Sequence, residues 1–232
     1  MYPVLRAQAF TVIVLAAMCA VAAADPISYT GSLSVGSGAD GLLAATGAWN
    51  DSSTTLSWTV DNTTTPGKWH YEYTLSVPAG GISHVIFEAS DGDPLPAFSA
   101  SNLFAPASDP AGWIDMEEIE IQTHTTGPGN PDMPTDMYGV KFVAAQDFDE
   151  IAVVVRFDSD REPIWGDFYA KDGAQGGAWA TVCNQGFQAT DPTDPPADGS
   201  IQDHLLVPDT TPEPGMLALL AAGGLALIRR RR

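Results

Sequence analysis

Acidic side chains are the most abundant chemical resource of this chain, and their spacing admits two uses. The segment Asp158-Ser159-Asp160-Arg161-Glu162 puts carboxylates on alternate residues just after a strongly apolar run, and Asp167 follows it. Calcium takes about six to eight oxygen ligands of this kind. Asp158, Asp160, Glu162 and Asp167 therefore form the candidate calcium site, with charged turns as the alternative reading. Pro163 stands where an EF-hand loop requires glycine, so that loop is excluded. Asp91 with Asp93, and Asp194 with Asp198 and Asp203, are looser groupings of the same type. Glu118 and Glu120 lie two apart in an extended stretch and share a face, as do Asp115 and Glu117 on the other. Glycosidases use paired carboxylates, but nothing in this spacing separates these pairs from a solvated acidic surface.

Other chemistries find no pattern. Cys19 falls in the apolar N-terminal segment, which leaves Cys183 without a partner for an internal disulfide. His70, His84, His124 and His204 sit in separate segments with no H-x-x-x-H or H-E-x-x-H spacing, so no zinc site is expected. There is no G-x-S-x-G, no phosphate-binding glycine loop and no dinucleotide fingerprint. No residue is assigned a catalytic role, and the chain reads as non-enzymatic. Trp49, Trp113, Trp165 and Trp179 lie near strand ends or turns, where an indole face can stack on a sugar ring or simply join the core.

The elements that must position these groups read as strands. Leu56, Trp58 and Val60 alternate with polar residues, and Trp69, Tyr71, Tyr73, Leu75 and Val77 do the same, which is the period of a half-buried strand. Further strands are expected at 27–35, 42–49, 82–88, 113–123, 138–144, 150–157, 164–171, 178–184 and 201–207. The run Glu150 to Phe157 is apolar in both registers at its centre, as in a strand covered on both faces. Around Trp113 the apolar phase changes, and a bulge near Glu117-Glu118 would reconcile the halves. Residues 90–111 form a long connection of the kind that often carries a binding surface, and the Pro- and Asp-rich stretch 186–200 reads as an ordered loop or extended linker. Short strands without a credible helix predict an all-β domain over 25–207, an antiparallel β-sandwich of jelly-roll type.

Charge is segregated along the 232 residues. Between 25 and 211 there are five basic residues (Lys68, Lys141, Arg156, Arg161, Lys171) against 28 acidic ones, a formal charge of −23. Such a surface repels phosphate backbones and anionic lipid, which excludes nucleic acid as a partner.

The two ends differ from the middle. Arg6, the apolar stretch Ala9–Ala20 and the small residues Ala22 and Ala24 read as a signal peptide over 1–24, removed by signal peptidase between Ala24 and Asp25. Met18 before Cys19 argues against lipidation. At the other end stand Pro212, Glu213 and Pro214, then the apolar stretch 215–228, then Arg229, Arg230, Arg231 and Arg232. At about 1.5 Å per residue those 14 apolar residues reach roughly 21 Å, against a hydrocarbon core of about 30 Å. The segment spans a bilayer only marginally, which suits a helix handled in transit. The arginines hold its end in the cytoplasm, so the middle of the chain lies outside the cytoplasmic membrane.

In these three parts and their order, residues 208–232 resemble the PEP-CTERM sorting signal of Gram-negative, biofilm-forming bacteria, a tail also labelled an ice-binding protein C-terminal domain. Gly215 follows the motif where Ser or Thr is usual. The resemblance implies recognition and cleavage near Pro-Glu-Pro by an exosortase, with export coupled to exopolysaccharide. It implies an extracellular or cell-surface protein of the matrix, held transiently in the cytoplasmic membrane by its C-terminal helix. A carbohydrate-binding or adhesion module is the alternative, and a secreted glycoside hydrolase the lesser one.

Overall fold

The computed structural model describes residues 25–91, 96–173 and 179–208. The expected signal peptide over 1–24, the motif Pro212-Glu213-Pro214, the expected helix over 215–228 and Arg229 to Arg232 lie outside them. Among the described residues the chain forms strands and two short 3-10 turns, with no α-helix. No helix of the described residues is long and apolar enough to cross a membrane.

The strands are β1 (Ser28–Ser34), β2 (Gly41–Ala45), β3 (Thr55–Asp61), β4 (Trp69–Ser76), β5 (Ile82–Glu88), β6 (Leu103–Asp109) and β7 (Glu120–His124). They continue with β8 (Met137–Val143), β9 (Ala152–Ser159), β10 (Pro163–Gly166), β11 (Phe168–Asp172), β12 (Thr181–Asn184) and β13 (Leu205–Pro208). Eleven of them make one sheet in the order β6-β9-β4-β3-β1-β2-β12-β11-β5-β8-β7, and β10 pairs with β13 in a separate ribbon. Every pairing is antiparallel except a short parallel contact between β1 and β2, where Leu33 meets Gly41 and Ser34 meets Leu42.

That short parallel junction joins two arms, and the sheet curls so that the arms face each other. Tyr73 of β4 stacks on Phe87 of β5 with ring centroids 3.8 Å apart, and Phe157 of β9 lies 5.6 Å from Phe142 of β8. Alternation supplies these contacts: in β4 Trp69, Tyr71, Tyr73 and Leu75 are buried while the residues between them are half-buried. The ribbon of β10 and β13 lies against both arms, burying Trp165, Leu205, Leu206 and Val207 in the same core. The Tyr73 hydroxyl donates 2.8 Å to the Leu206 carbonyl and fixes the ribbon to the sheet.

A second apolar cluster of Ile86, Met133, Met137, Tyr169, Cys183 and Phe187 forms on the other face of the β5 arm. Strands β5, β11 and β12 are therefore covered on both faces, with their middle residues all buried. In β9 the outer face is only half-buried, at Val154 and Arg156, where Arg156 pairs with Glu72 of β4.

The fold also places four stretches whose form was open or expected otherwise. β6 forms inside the 90–111 connection and runs along β9 with a bulge between Phe104 and Ala107. The phase change near Trp113 is a turn, in which the Glu118 N–H donates 3.0 Å to the Asp115 carbonyl and the Glu117 N–H donates 3.0 Å to Asp115 Oδ1. The run 164–171 is two strands, broken at Asp167, that belong to different sheets. The stretch 186–200 is laid along β1: the Gly199 N–H donates 2.7 Å to the Thr30 carbonyl, and the Thr30 N–H donates 2.9 Å to Asp198 Oδ1.

Candidate metal centre

The break at Asp167 is where the chain leaves the β10–β13 ribbon and enters the large sheet. Reciprocal hydrogen bonds hold it: the Asp167 N–H donates 2.8 Å to Glu88 Oε2, and the Glu88 N–H donates 2.9 Å to the Asp167 carbonyl. Asn184, fully buried on β12, spans the gap by donating 2.6 Å from Nδ2 to Asp167 Oδ1 and accepting from the Phe168 N–H at 3.0 Å. The Asp167 carboxylate is thereby fixed and turned toward the segment that follows β12.

That segment brings two more ligand types. His204 closes a tight turn whose two preceding residues, Gln202 (φ 50°) and Asp203 (φ 63°), are left-handed without being glycine. Asp203 Oδ1 offsets part of this strain by accepting the Leu42 N–H at 2.8 Å. The His204 side chain is 0% exposed, with Nδ1 3.3 Å from the Ile201 carbonyl. Its Nε2 stands 3.6 Å from Asp167 Oδ1 and 3.4 Å from Asp191 Oδ1, and makes no hydrogen bond. Gly186 leaves room for the ring, since a Cβ there would stand 2.6 Å from His204 Cε1. One ligand atom from each of Asp167, Asp191 and His204 lies within 4.8 Å of the others.

A cleft of about 420 Å³ opens beside the trio, lined by Asp167 and Asp191 together with Glu88, Asp91, Asp136 and Tyr138. Among the described residues no basic side chain lines it. The carboxyls respond accordingly. Burial, and then the charges of Asp191 and Asp167, push Glu88 up to about 8. Burial also raises Asp167, although the Asn184 amide and His204 favour its charged form. Asp191 is raised by burial and eased by His204. Two carboxylates and an imidazole nitrogen with ligand atoms within 4.8 Å of one another can hold a cation or share a proton.

The acidic residues singled out from the sequence are distributed differently. Asp158, on β9, accepts a hydrogen bond from Thr65 Oγ1 at 2.8 Å and pairs with His70 Nδ1 at 2.7 Å across the strand boundary. Asp160 accepts from Asn102 Nδ2 at 2.9 Å and faces Arg161. Glu162 lines a separate groove with Tyr29 and Trp69. Of the four, Asp167 is the one that enters the converging trio. Asp191, His204 and Glu88 carried no motif, because residues 167, 191 and 204 meet only through the fold. Trp49, Trp113 and Trp165 are core residues at 0–1% exposure, which removes them as sugar platforms. Trp179 is 37% exposed, with the Lys171 ammonium 4.0 Å above its ring.

An all-β domain with a strongly acidic sequence defines a fold class more than an activity. The particular assignment comes from the end of the chain: residues 210–232 match the PEP-CTERM protein-sorting motif. The chain is thus an exported protein addressed to an exosortase. No curated protein and no solved structure matches it.

Proposed function

We propose that this chain is a non-enzymatic extracellular or cell-surface protein, processed by signal peptidase at Ala24–Asp25 and by an exosortase near Pro212-Glu213-Pro214, and associated with an exopolysaccharide matrix. The observation that carries the reading is the sorting motif at 210–232. The strongly acidic exported portion supports it, because a surface of that sign stays soluble among anionic polymers and avoids nucleic acid. The two facing arms are read as the layers of a β-sandwich, an architecture whose loops present binding surfaces on a rigid body.

A carbohydrate-binding role is the second reading, and one groove favours it. Half-buried Tyr29, stacked on the buried Trp69 with their planes 10° apart, lines a groove of about 670 Å³ with Pro192, Pro195 and Pro196. Aromatic and proline surfaces of this kind accept the apolar face of a sugar ring. A glycan array probed with the exported protein and with Tyr29→Ala separates the readings. Binding to one polysaccharide class that Tyr29→Ala abolishes establishes the second. An absence of glycan binding, together with recovery in the matrix fraction of an exosortase-bearing host, supports the first. Recovery of the intact chain in the cytoplasm of that host contradicts both.

A further inference from the structure

We propose that Asp167, Asp191 and His204 bind a single divalent ion of the zinc class, which latches the 186–204 segment onto the sheet. Three features of the geometry carry this. First, His204 is wholly buried and its Nε2 has no hydrogen-bond partner, although two carboxylate oxygens stand in front of it. With Nδ1 facing the Ile201 carbonyl, the proton of a neutral ring resides there, which leaves the Nε2 lone pair beside two carboxylate oxygens at 3.4 and 3.6 Å. A bound cation converts that repulsion into coordination.

Second, the two separations from His204 Nε2 are those of ligands around one ion, and the two carboxylates lie within 4.8 Å of each other. A tetrahedral metal with bonds of about 2.1 Å holds its ligands about 3.4 Å apart. The observed separations are 3.4 and 3.6 Å, longer than a hydrogen bond between nitrogen and a carboxylate.

Third, the surrounding groups orient the ligands. The backbone carbonyl of Ile201 fixes the imidazole, and Asn184 holds Asp167 Oδ1, whose second lone pair stays available. An imidazole with two carboxylates suits zinc and its neighbours. Calcium prefers an all-oxygen shell of about six to eight ligands, which the trio does not provide.

The ion would join three places: the strand break at Asp167, the Pro-rich stretch at Asp191 and the turn that starts β13. It would therefore close the last described strand onto the fold just before the sorting tail leaves it.

The test uses the untagged full chain in detergent, stripped with a chelator and titrated calorimetrically with zinc chloride, with calcium chloride in parallel at matched ionic strength. Asp191→Asn is the main variant, because its 43% exposed side chain can change without opening the core. His204→Gln is the second variant, and Asp158→Asn with Asp160→Asn is the control. One zinc per chain is expected, weakened at least ~10-fold by Asp191→Asn and at least ~100-fold by His204→Gln, with the control unaffected. Zinc should also raise the thermal midpoint of the wild type. Asp191→Asn should keep or raise the metal-free midpoint, since it removes a repelling charge, and lose the zinc increment. Zinc affinity that survives in Asp191→Asn, calcium binding as tight as zinc binding, or no stoichiometric zinc at all overturns the proposal.

Discussion

Tyr73 and Phe87 lie on strands at the third and ninth places of one sheet, yet their rings stack 3.8 Å apart. A flat sheet would separate them by six strand spacings of about 4.8 Å each. Their contact is the curl of the molecule expressed in two side chains. Both are buried to within 1%, and the Tyr73 hydroxyl adds a bond to the ribbon that closes the core.

Removing either ring should be costly. Phe87→Ala is expected to destabilise the protein by about 3–5 kcal/mol in urea unfolding, from lost burial and the cavity left behind. Tyr73→Phe removes only the hydroxyl and should cost about 1 kcal/mol, most of it the unmet Leu206 carbonyl. Equal costs for the two changes would show that the stack contributes nothing beyond the ribbon contact.

Acid sensitivity should centre on His84. Its ring lies on β5 under the second apolar cluster, beside Tyr169 and facing Lys141 of β8, Lys171 of β11, His124 of β7 and Asn130. Burial, and then the two lysine charges, push it down to about 3, against 6.5 in the unfolded chain, while Asn130 pulls weakly the other way. Between those values the unfolded chain binds the extra proton, so stability is complete above about pH 6.5 and declines as the pH falls. The limiting slope for one group is about 1.4 kcal/mol per pH unit. His84→Leu should make the decline between pH 6.5 and 5 shallower by up to that amount in unfolding titrations. Parallel curves for the two proteins would contradict the assignment.

Asp61 shows how a carboxylate at a strand end is engaged without metal. It accepts from the Thr63 N–H, Thr63 Oγ1 and Thr64 N–H at 2.7 Å, and from Thr64 Oγ1 at 2.9 Å. Burial raises its pKa, but the four bonds together outweigh burial and hold it below 3.8. The stabilisation is therefore present above pH 3.8 and lost as the pH falls through the lower folded-state value. Asp61→Ala should cost about 2 kcal/mol at pH 7, with the difference from wild type narrowing in strong acid. A pH-independent difference would mean that the charged form is not what the turn needs.

The parts of the fold that were legible in the sequence are those where one face alone decides. In β4 the alternation from Trp69 to Leu75 states both the strand and its buried side. The strand β6 was hidden because LFAPASD does not alternate and carries Pro106, which an edge strand tolerates. The break at Asp167 was hidden because IWGDFYAK reads as one run. Its division between two sheets depends on β13 arriving from residues 205–208. The same dependence concealed the trio, since nothing local to Asp191 or His204 says that they meet. The C-terminal signal was legible because a sorting motif is read along the chain and needs no tertiary structure.

Mass spectrometry of the protein released by an exosortase-bearing host tests the account most directly, by reading both termini at once. An N-terminus at Asp25 and a C-terminus between Pro212 and Gly215 are predicted, with Glu213→Ala accumulating uncleaved in the membrane fraction. Exported material from that host that still ends at Arg232 would contradict the account.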